Sequence, residues 1–203
     1  MLVHGAASGP WVFDAWGDTF PELELEAVDL HAGLNIAEAS MSNYVKIAER
    51  AADWLPRPLG VCGWSMGGLV AMLAVNHARP DWLVLLEPSP PAEVQRVDRT
   101  VGPRSGTYAG ESAYGTFPAG VRSRPESSLA RAERKRGLSV AQLDCPTLVV
   151  YGHEFADERG RAVARYYGAE ELSLPALDHW ELVLDERSRE AVAGWLISGR
   201  AQA

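Results

Sequence analysis

A serine stands between glycines at a point where a strand pattern gives way to a helix pattern. The run Gly63–Gly68 reads G-W-S-M-G-G, follows the apolar segment Leu59–Cys62 and precedes the apolar segment Leu69–Val75. A nucleophilic serine needs its Oγ to project from a tight strand-to-helix turn, and glycines two residues away on either side remove side chains that would collide there. The pattern predicts that Ser65 is a nucleophile. It also makes the Met66 N–H, at the helix N-terminus, a candidate donor to a developing oxyanion.

One of the five histidines stands where a general base would be needed. His179 follows the last predicted strand, Glu170–Leu174, and precedes the last stretch with helical spacing. Imidazole suits this role because its pKa, ordinarily about 6.5, lets it accept a serine proton and return it to a leaving group near neutral pH. We therefore predict that Ser65 and His179 act as a pair.

Apolar segments along the chain alternate between the spacing of strands and that of helices. Short runs rich in β-branched residues are bounded by Gly, Pro, Asp or His, and helical spacing fills stretches between them. Such alternation predicts right-handed βαβ crossovers and an α/β fold, with a mostly parallel sheet of about six strands and helices on both faces. Reactive groups then gather at the carboxyl ends of the strands. The predicted strands are Met1–Val3, Leu23–Val28, Leu59–Cys62, Trp82–Leu86, Thr147–Tyr151 and Glu170–Leu174, and the predicted helices are Ser42–Leu55, Met66–Arg79 and Glu186–Ile197.

The alternation stops after Pro88. Residues 89–144 are rich in Pro, Gly, Ser and Arg, and they contain one clear helical segment, Glu126–Arg136, with Pro125 before it and Gly137 after it. An insertion of this length between two strands predicts a cap over the carboxyl edge of the sheet. A chain of 203 residues suits one domain. We therefore expect a single domain over residues 1–203 with a cap at 89–144.

These motifs together resemble the α/β hydrolase superfamily, over nearly the whole chain from Leu2 to Leu196. The opening segment Leu2–Trp11, LVHGAASGPW, resembles the His-Gly oxyanion loop of that superfamily and is similar to the same loop of plant-type methyl esterases. The elbow G-W-S-M-G-G resembles that of the pimeloyl-carrier-protein esterases. The resemblance implies that the Ala6 N–H is a second oxyanion donor and that His4 is structural. Most members have two strands before the one that ends in His-Gly, so the resemblance implies an α/β hydrolase fold lacking the first two strands.

The acid that would orient His179 has three candidates. The resemblance places this acid in a Gly-x-x-Asp after the fifth predicted strand, but Phe155 occupies the Asp position here. Glu87 is the first choice, because it ends the fourth predicted strand, where some haloalkane dehalogenases of this superfamily carry their acid. Glu154 is the second choice and Asp157 the third, since a triad is defined by geometry and not by chain order.

Composition argues against several classes of function. The net charge of −8 disfavours nucleic acid as a partner, because that partner needs a positive face. No uncharged apolar run is long enough to cross a bilayer, and no metal-binding spacing or nucleotide-binding glycine motif occurs. Only Cys62 and Cys145 could pair, and no signal peptide opens the chain. We predict no metal, no cofactor, no membrane partner and a cytoplasmic location.

The predicted cap differs in charge from the rest of the chain. Residues 91–140 hold nine basic against five acidic residues. Two interpretations are open: the arginines attract an anionic substrate, or they form a solvated charged surface, as a charge run such as Arg131–Arg136 usually does. The arginines considered for a substrate are Arg96, Arg99, Arg104, Arg122 and Arg124.

Two tryptophans stand beside the predicted chemistry. Trp64 precedes the nucleophile, and Trp11 follows the oxyanion loop. Each is a candidate wall of a substrate pocket, and for each a packing role is the alternative.

These features predict a serine hydrolase that cleaves a small carboxylic ester through an acyl-enzyme intermediate. A thioesterase or another acyl hydrolase is one alternative, because the same groups serve several acyl bonds. A hydrolase-like protein that binds a small ligand without turnover is the other. The expected partner is a small-molecule ester or thioester, and the expected state is a monomer or homodimer.

Overall fold

Six strands form one parallel sheet in the computed structural model, which describes residues 1–200. Two further short strands pair with each other as an antiparallel ribbon outside this sheet. The strands are β1 Leu2–Val3, β2 Ala27–Val28, β3 Gly60–Trp64, β4 Trp82–Leu86, β5 Thr107–Tyr108, β6 Glu126–Ser127, β7 Thr147–Tyr151 and β8 Glu170–Ser173. The main sheet has the order β2-β1-β3-β4-β7-β8, and each neighbouring pair runs parallel. The prediction of a mostly parallel α/β sheet is therefore confirmed.

Helices cover both faces of the sheet because alternate residues of each central strand face opposite sides. In β4, Leu83 and Leu85 join the apolar core on one face, whereas Val84 and Leu86 join the core on the other. The first core includes residues of α2 Met41–Trp54, α3 Met66–Ala78, α5 Ser128–Arg136 and α6 Ala162–Tyr167, and the second includes residues of α1 Trp16–Thr19, α7 Glu181–Leu184 and α8 Glu186–Arg200. Helix α4 spans Gly110–Tyr114. A strand pattern buried on both sides thus produces a three-layered α/β arrangement.

The helix ends follow local chemistry. Helix α2 begins after Ser40, whose side chain accepts the Asn43 N–H while the Asn43 side chain accepts the Ser40 N–H in return. Helix α3 ends where Arg79 takes a positive φ of 44°. No helix within residues 1–200 is both long enough and apolar enough to cross a membrane.

Residues 89–144, which we call the cap segment, contain β5, β6, α4 and α5. The helix predicted from Glu126 begins at Ser128 instead, because the Ser127 side chain accepts the Ala130 N–H at 3.1 Å and so caps the helix. Gly137 follows the helix with a φ of 86°, as its position in the sequence indicates. The segment is bonded to the loop after β1, since the Arg124 N–H donates to the Ala7 carbonyl at 3.0 Å.

Candidate active site

Ser65 stands on a strained turn between β3 and α3. Its φ of 55° and ψ of −120° lie outside the regions that most L-residues occupy. The turn has no room for side chains: a Cβ on Gly63 would lie 2.5 Å from the Gly67 carbonyl oxygen, and one on Gly67 would lie 2.1 Å from the Val3 carbonyl oxygen. The two glycines of the motif are thus required by close backbone approach, and they leave Ser65 projecting at the carboxyl end of β3.

Backbone hydrogen bonds continue past the ends of the strands and join the two elements that carry Ser65 and Glu87. The Ser65 N–H donates to the Leu86 carbonyl at 3.0 Å, and the Ser89 N–H donates to the Ser65 carbonyl at 2.7 Å. The Glu87 N–H donates to the Val150 carbonyl at 2.9 Å, although Glu87 has a positive φ of 39°. These bonds hold both residues in conformations that an unsupported chain would avoid.

Glu87 is the carboxylate that meets His179. The Glu87 side chain is fully buried, and its Oε2 lies 2.7 Å from His179 Nδ1. Its other oxygen, Oε1, accepts the Gly152 N–H at 2.8 Å. With the carboxylate accepting at both oxygens, Nδ1 of His179 carries the proton and Nε2 keeps its lone pair. Nε2 is therefore the nitrogen able to accept a proton from a hydroxyl group.

The two other candidate acids are not in contact with the His179 ring. Glu154 Oε2 accepts the backbone N–H of His179 at 3.3 Å. Asp157 has an 82% exposed side chain and pairs with Arg161 one helical turn away. The structure brings together the first-choice acid and the base, and it places the third choice on the surface.

Two aromatic rings pack against the His179 ring. The ring centroid of Trp64 lies 5.1 Å from that of His179, and the Phe155 ring approaches edge-on at 5.3 Å. The Trp64 indole N–H also donates to the His179 carbonyl at 2.9 Å. Because 13% of the His179 side chain is exposed, the imidazole is held firmly but reached from outside.

The loop after β1 packs directly on the nucleophile. A Cβ on Gly5 would lie 3.1 Å from the Cβ of Ser65 and 2.7 Å from the Trp64 ring, so a side chain at this position would force its neighbours to shift. Ala6 follows, and it lines the same cavity as Ser65. Ala7 has a positive φ of 57°, which a residue other than glycine rarely adopts. This strained turn carries the N–H group that the sequence predicts as an oxyanion donor.

A buried glutamate from the cap segment holds that turn in place. Glu126 Oε2 accepts the Ala7 N–H at 2.9 Å and lies 3.4 Å from His31 Nε2, and Oε1 accepts from the hydroxyl of Tyr44 and from the Ser127 N–H. Burial opposes ionisation of the carboxyl group, but the His31 and Tyr44 hydrogen bonds outweigh it and lower the Glu126 pKa to about 2. Glu126 is thus a carboxylate that accepts hydrogen bonds at both of its oxygens.

Arg124 makes a second connection between the cap segment and the loop. Its Nε donates to the Ser8 carbonyl at 2.6 Å, and its Nη2 donates to Asp29 Oδ1 at 2.6 Å. The same Nη2 lies 3.0 Å from His4 Nε2. Glu126 and Arg124 of the cap segment therefore bind the turn at Ala7 on both sides.

His4, for which the resemblance implies a structural role, is hydrogen-bonded at both ring nitrogens. Its Nε2 accepts the Leu30 N–H at 3.1 Å, so the proton sits on Nδ1, which donates to the Gly5 carbonyl at 2.8 Å. Complete burial lowers the pKa of His4, and the neighbouring Arg124 charge acts in the same direction. His4 is held neutral beneath the oxyanion loop.

A cavity of about 470 Å³ opens above Ser65 and His179. The lining residues outside the cap segment are Ala6, Trp64, Ser65, Glu154, Phe155, Arg159, His179 and Trp180, and those from the cap segment are Ser89, Ala113, Tyr114, Thr116 and Arg134. Trp64 lies where the sequence places it. Trp11 does not line this cavity: its indole N–H donates to the Arg122 carbonyl, and the Arg122 guanidinium lies over its ring. The packing role, which was the alternative for Trp11, is therefore the one that this contact supports.

The arginines at the cavity are not those considered from the sequence. Arg122 and Arg124 are engaged with Trp11 and with Asp29, and the other three are exposed away from the cavity: Arg96, Arg99 and Arg104. Arg134, inside a charge run expected to face water, lines the cavity instead. The sequence did not identify Arg134, Arg159 or Glu126 as residues of the site, because nothing in their local pattern distinguishes them from charged residues at the surface.

A second cavity of about 330 Å³ lies at the amino ends of β1 and β3, away from Ser65. Its lining includes Cys62 but no histidine. Within residues 1–200, no group of three or more His, Cys, Asp or Glu side chains is arranged to hold a metal ion. Of these two cavities, the one lined by Ser65 and His179 therefore holds the reactive groups described above.

One curated relative shares part of the sequence. The pimeloyl-[acyl-carrier protein] methyl ester esterase of Nitrosomonas europaea is 31% identical over 100 residues, which are 48% of this chain and 40% of that protein. The chain thus spans less than half the length of this relative. The sequence matches none of the protein-family models.

Solved structures of esterases and hydrolases share the architecture. A methylesterase from Arabidopsis superposes with a TM-score of 0.69 at 16% identity, covering 100% of this chain and 98% of that one. A pyrethroid hydrolase from Sphingobium faniae JZ-2 has a TM-score of 0.61 at 18% identity, with 96% and 95% covered. Polyneuridine aldehyde esterase has a TM-score of 0.63 at 16% identity, with 97% and 96% covered. These likenesses extend over nearly the whole chain, and together with the parallel six-stranded sheet they show that the chain has the α/β hydrolase fold.

Proposed function

We propose that this protein is a serine hydrolase that cleaves a small carboxylic ester through an acyl-enzyme intermediate. One observation carries the proposal. The buried Glu87 carboxylate bonds His179 Nδ1 at 2.7 Å, and the His179 ring lines one cavity with a serine held at a φ of 55°. A nucleophile, a base and an acid that orients the base are the three groups that acyl transfer by serine requires.

In the proposed first step, His179 Nε2 takes the Ser65 proton as Ser65 Oγ attacks the ester carbonyl carbon. The imidazolium that forms lies against the Glu87 carboxylate, whose negative charge stabilises it. The proton then passes from Nε2 to the leaving alcohol oxygen as the carbonyl–oxygen bond of the ester breaks. Ser65 is left esterified by the acyl group.

In the proposed second step, His179 Nε2 takes a proton from water as the water oxygen attacks the acyl carbon. The proton then passes to Ser65 Oγ as the bond between Oγ and the acyl carbon breaks, which frees Ser65 and releases the carboxylic acid. Both steps place negative charge on the former carbonyl oxygen, and the N–H groups of Ala6 and Met66 would stabilise it. Met66 begins α3, so the positive end of that helix faces the same oxygen. Apart from the ester and water, this proposed cycle needs no group from outside the chain.

The comparisons support ester hydrolysis in general. The partial relative from Nitrosomonas europaea is a methyl ester esterase by name, and several proteins of similar fold are esterases or hydrolases. A cavity of about 470 Å³ lies within the range of small-molecule sites. We propose a small ester as the substrate on these grounds, and the cytoplasm stays the location predicted from the sequence.

Labelling with a fluorophosphonate probe tests the proposal, because such probes react with activated serines. The cavity offers a matched control, since Ser65 and Ser89 both line it. The wild type, Ser65→Ala and Ser89→Ala would be labelled and digested, and the modified peptide located by mass spectrometry. Hydrolysis of methyl and p-nitrophenyl esters, and of the corresponding thioesters, would be measured with the same three proteins.

We expect labelling on Ser65 in the wild type and in Ser89→Ala, and none in Ser65→Ala. Ester turnover should follow the same pattern. Faster turnover of thioesters than of esters would favour a thioesterase over the proposed esterase. Absence of both labelling and turnover in the folded wild type would overturn the proposal and favour a protein that binds a ligand without converting it.

A further inference from the structure

Two arginines face the cavity that contains Ser65 and His179. Arg134 comes from α5 in the cap segment, and Arg159 comes from the π-helical turn Ala156–Arg161. In this turn the Gly160 N–H donates five residues back, to the Phe155 carbonyl, at 3.2 Å. Irregular turns of this kind often occur at functional sites. Two separate elements therefore bring guanidinium groups to one cavity.

Arg134 is partly buried and incompletely paired. Its Nη2 donates to the Tyr114 hydroxyl at 3.2 Å, and that hydroxyl is bonded to Tyr108 at 2.7 Å. Its Nε is buried and has no hydrogen-bond partner among the residues that the structure describes. A buried donor without an acceptor is costly, so such a group in a cavity indicates an acceptor that a bound molecule supplies.

Arg159 lacks an anionic partner as well. Its guanidinium carbon lies 4.0 Å from the centroid of the Phe155 ring, and the same ring meets His179 edge-on. Over residues 1–200, no carboxylate forms an ion pair with Arg159 or with Arg134. Stacking on Phe155 fixes the guanidinium plane and leaves its N–H groups to bind another molecule.

The charges around the cavity favour an anion of a single charge. Arg134 and Arg159 contribute two positive charges, and Glu154, which also lines the cavity, contributes one negative charge. With His179 in the neutral form that acts as a base, the residues that line the cavity carry one net positive charge. The Glu87 carboxylate lies behind His179, and its two oxygens are already bonded to His179 and to the Gly152 N–H. A carboxylate matches this charge and the fork geometry of a guanidinium.

We propose that the cavity binds an ester that carries a second, free carboxylate group, which Arg134 and Arg159 hold while Ser65 attacks the ester carbonyl. This inference rests on the proposed function, because it names the class of ester for the same site. Electrostatic attraction to the two arginines would appear chiefly in KM. The chemistry at Ser65 would be unchanged for a neutral ester.

Matched pairs of esters test the inference. The first pair, monomethyl adipate and methyl hexanoate, differs by a carboxylate on the acyl side. The second pair, γ-acetoxybutyrate and butyl acetate, differs by a carboxylate on the alcohol side. The values of kcat and KM would be measured for the wild type, Arg134→Gln, Arg159→Gln and Arg136→Gln. Arg136 is an exposed residue of the same helix as Arg134, and its variant is the control.

We expect the wild type to prefer the charged member of at least one pair by roughly tenfold in kcat/KM, as charge-assisted hydrogen bonds allow. Arg134→Gln and Arg159→Gln should each bring the ratio of kcat/KM for the charged ester to that for the neutral ester close to one, through the KM of the charged ester, and Arg136→Gln should keep the wild-type ratio. Equal rates for both members of both pairs, with the neutral esters hydrolysed, would overturn this inference and leave the esterase intact. Loss of neutral and charged turnover alike in the arginine variants would also overturn it. No turnover of any ester by the folded wild type would instead overturn the proposed function, and this inference with it.

Discussion

The carboxylate of Glu87 lies between the His179 ring and the backbone of the β7 end, 2.7 Å from Nδ1 of His179 and 2.8 Å from the Gly152 nitrogen. We predict that Glu87→Gln lowers kcat for a p-nitrophenyl ester by a factor of about 10³ to 10⁴, because an amide favours the wrong tautomer of the imidazole and does not stabilise imidazolium. Steady-state kinetics measure the effect.

The other two acid candidates are the controls for this prediction. Glu154→Gln and Asp157→Asn should each change kcat by less than about tenfold, since neither side chain contacts the His179 ring. A loss of kcat in Glu154→Gln as large as that in Glu87→Gln would contradict the assignment of Glu87 as the acid that orients His179.

Glu126 should act on catalysis through the oxyanion loop without touching the substrate. Its bond to the Ala7 N–H, at 2.9 Å, fixes the turn that carries the Ala6 N–H. For Glu126→Gln we expect kcat to fall about tenfold with KM unchanged, and urea unfolding to show a loss of about 1–3 kcal/mol. A positioning role predicts the kcat effect, whereas a purely structural role would change stability alone.

An exposed carboxylate of the same cap segment is the comparison for Glu126. Glu111, which bonds Ser123 at the surface, can be changed to Gln with little expected effect on kcat or on the free energy of unfolding. Equal effects in the two variants would contradict a specific role for Glu126.

Acid should destabilise the fold in two steps. Burial lowers the pKa of His4. Below the ordinary histidine pKa of about 6.5, the unfolded chain therefore binds a proton at His4 that the folded chain does not bind. This contribution to stability is complete above about pH 6.5 and declines by up to about 1.4 kcal/mol per pH unit below it. Glu126, with a folded pKa of about 2, contributes stability above its ordinary value that is lost as the pH falls from about 4.5 toward 2.

Urea unfolding of the wild type and of His4→Gln between pH 8 and pH 5 measures the first step. The variant should be less stable at pH 8, because it loses the bonds at both ring nitrogens, but its stability should depend less on pH. Parallel pH profiles for the two proteins would show that His4 is not the group responsible.

Glycine at the elbow should be indispensable. Gly67→Ala would put a Cβ 2.1 Å from the Val3 carbonyl oxygen, so we expect a loss of about 3 kcal/mol or more in the free energy of unfolding, together with loss of fluorophosphonate labelling. Gly17, in α1, has open space around its Cβ position, and Gly17→Ala should stabilise the protein by about 0.5–1 kcal/mol. Thermal and urea unfolding distinguish the two, and a tolerated Gly67→Ala would contradict the close approach at the elbow.

Much of the fold could be predicted from local sequence, because strands buried on both faces are short, apolar and bounded by turn residues. The central strand β4 was predicted with its observed bounds, Trp82–Leu86. The edge strand β2 was predicted too long: Leu23–Val28 begins with the alternating apolar and polar residues typical of a strand, but only Ala27 and Val28 pair with β1. The ribbon of β5 and β6 was missed, since two-residue strands leave no periodic pattern.

The sequence by itself determined the α/β layers, the elbow that presents Ser65 and the position of His179 after the last strand, because each depends on a pattern within a few residues. Only the tertiary structure decided which of three carboxylates meets His179, that Glu126 supports the oxyanion loop, and that Arg134 lines the cavity and not the solvent-exposed surface. Those three outcomes depend on contacts between residues far apart in the chain: Glu87 is 92 positions from His179, and Glu126 is 119 from Ala7. A charged side chain has the same local pattern in either environment, and its role follows from what the folded chain places beside it.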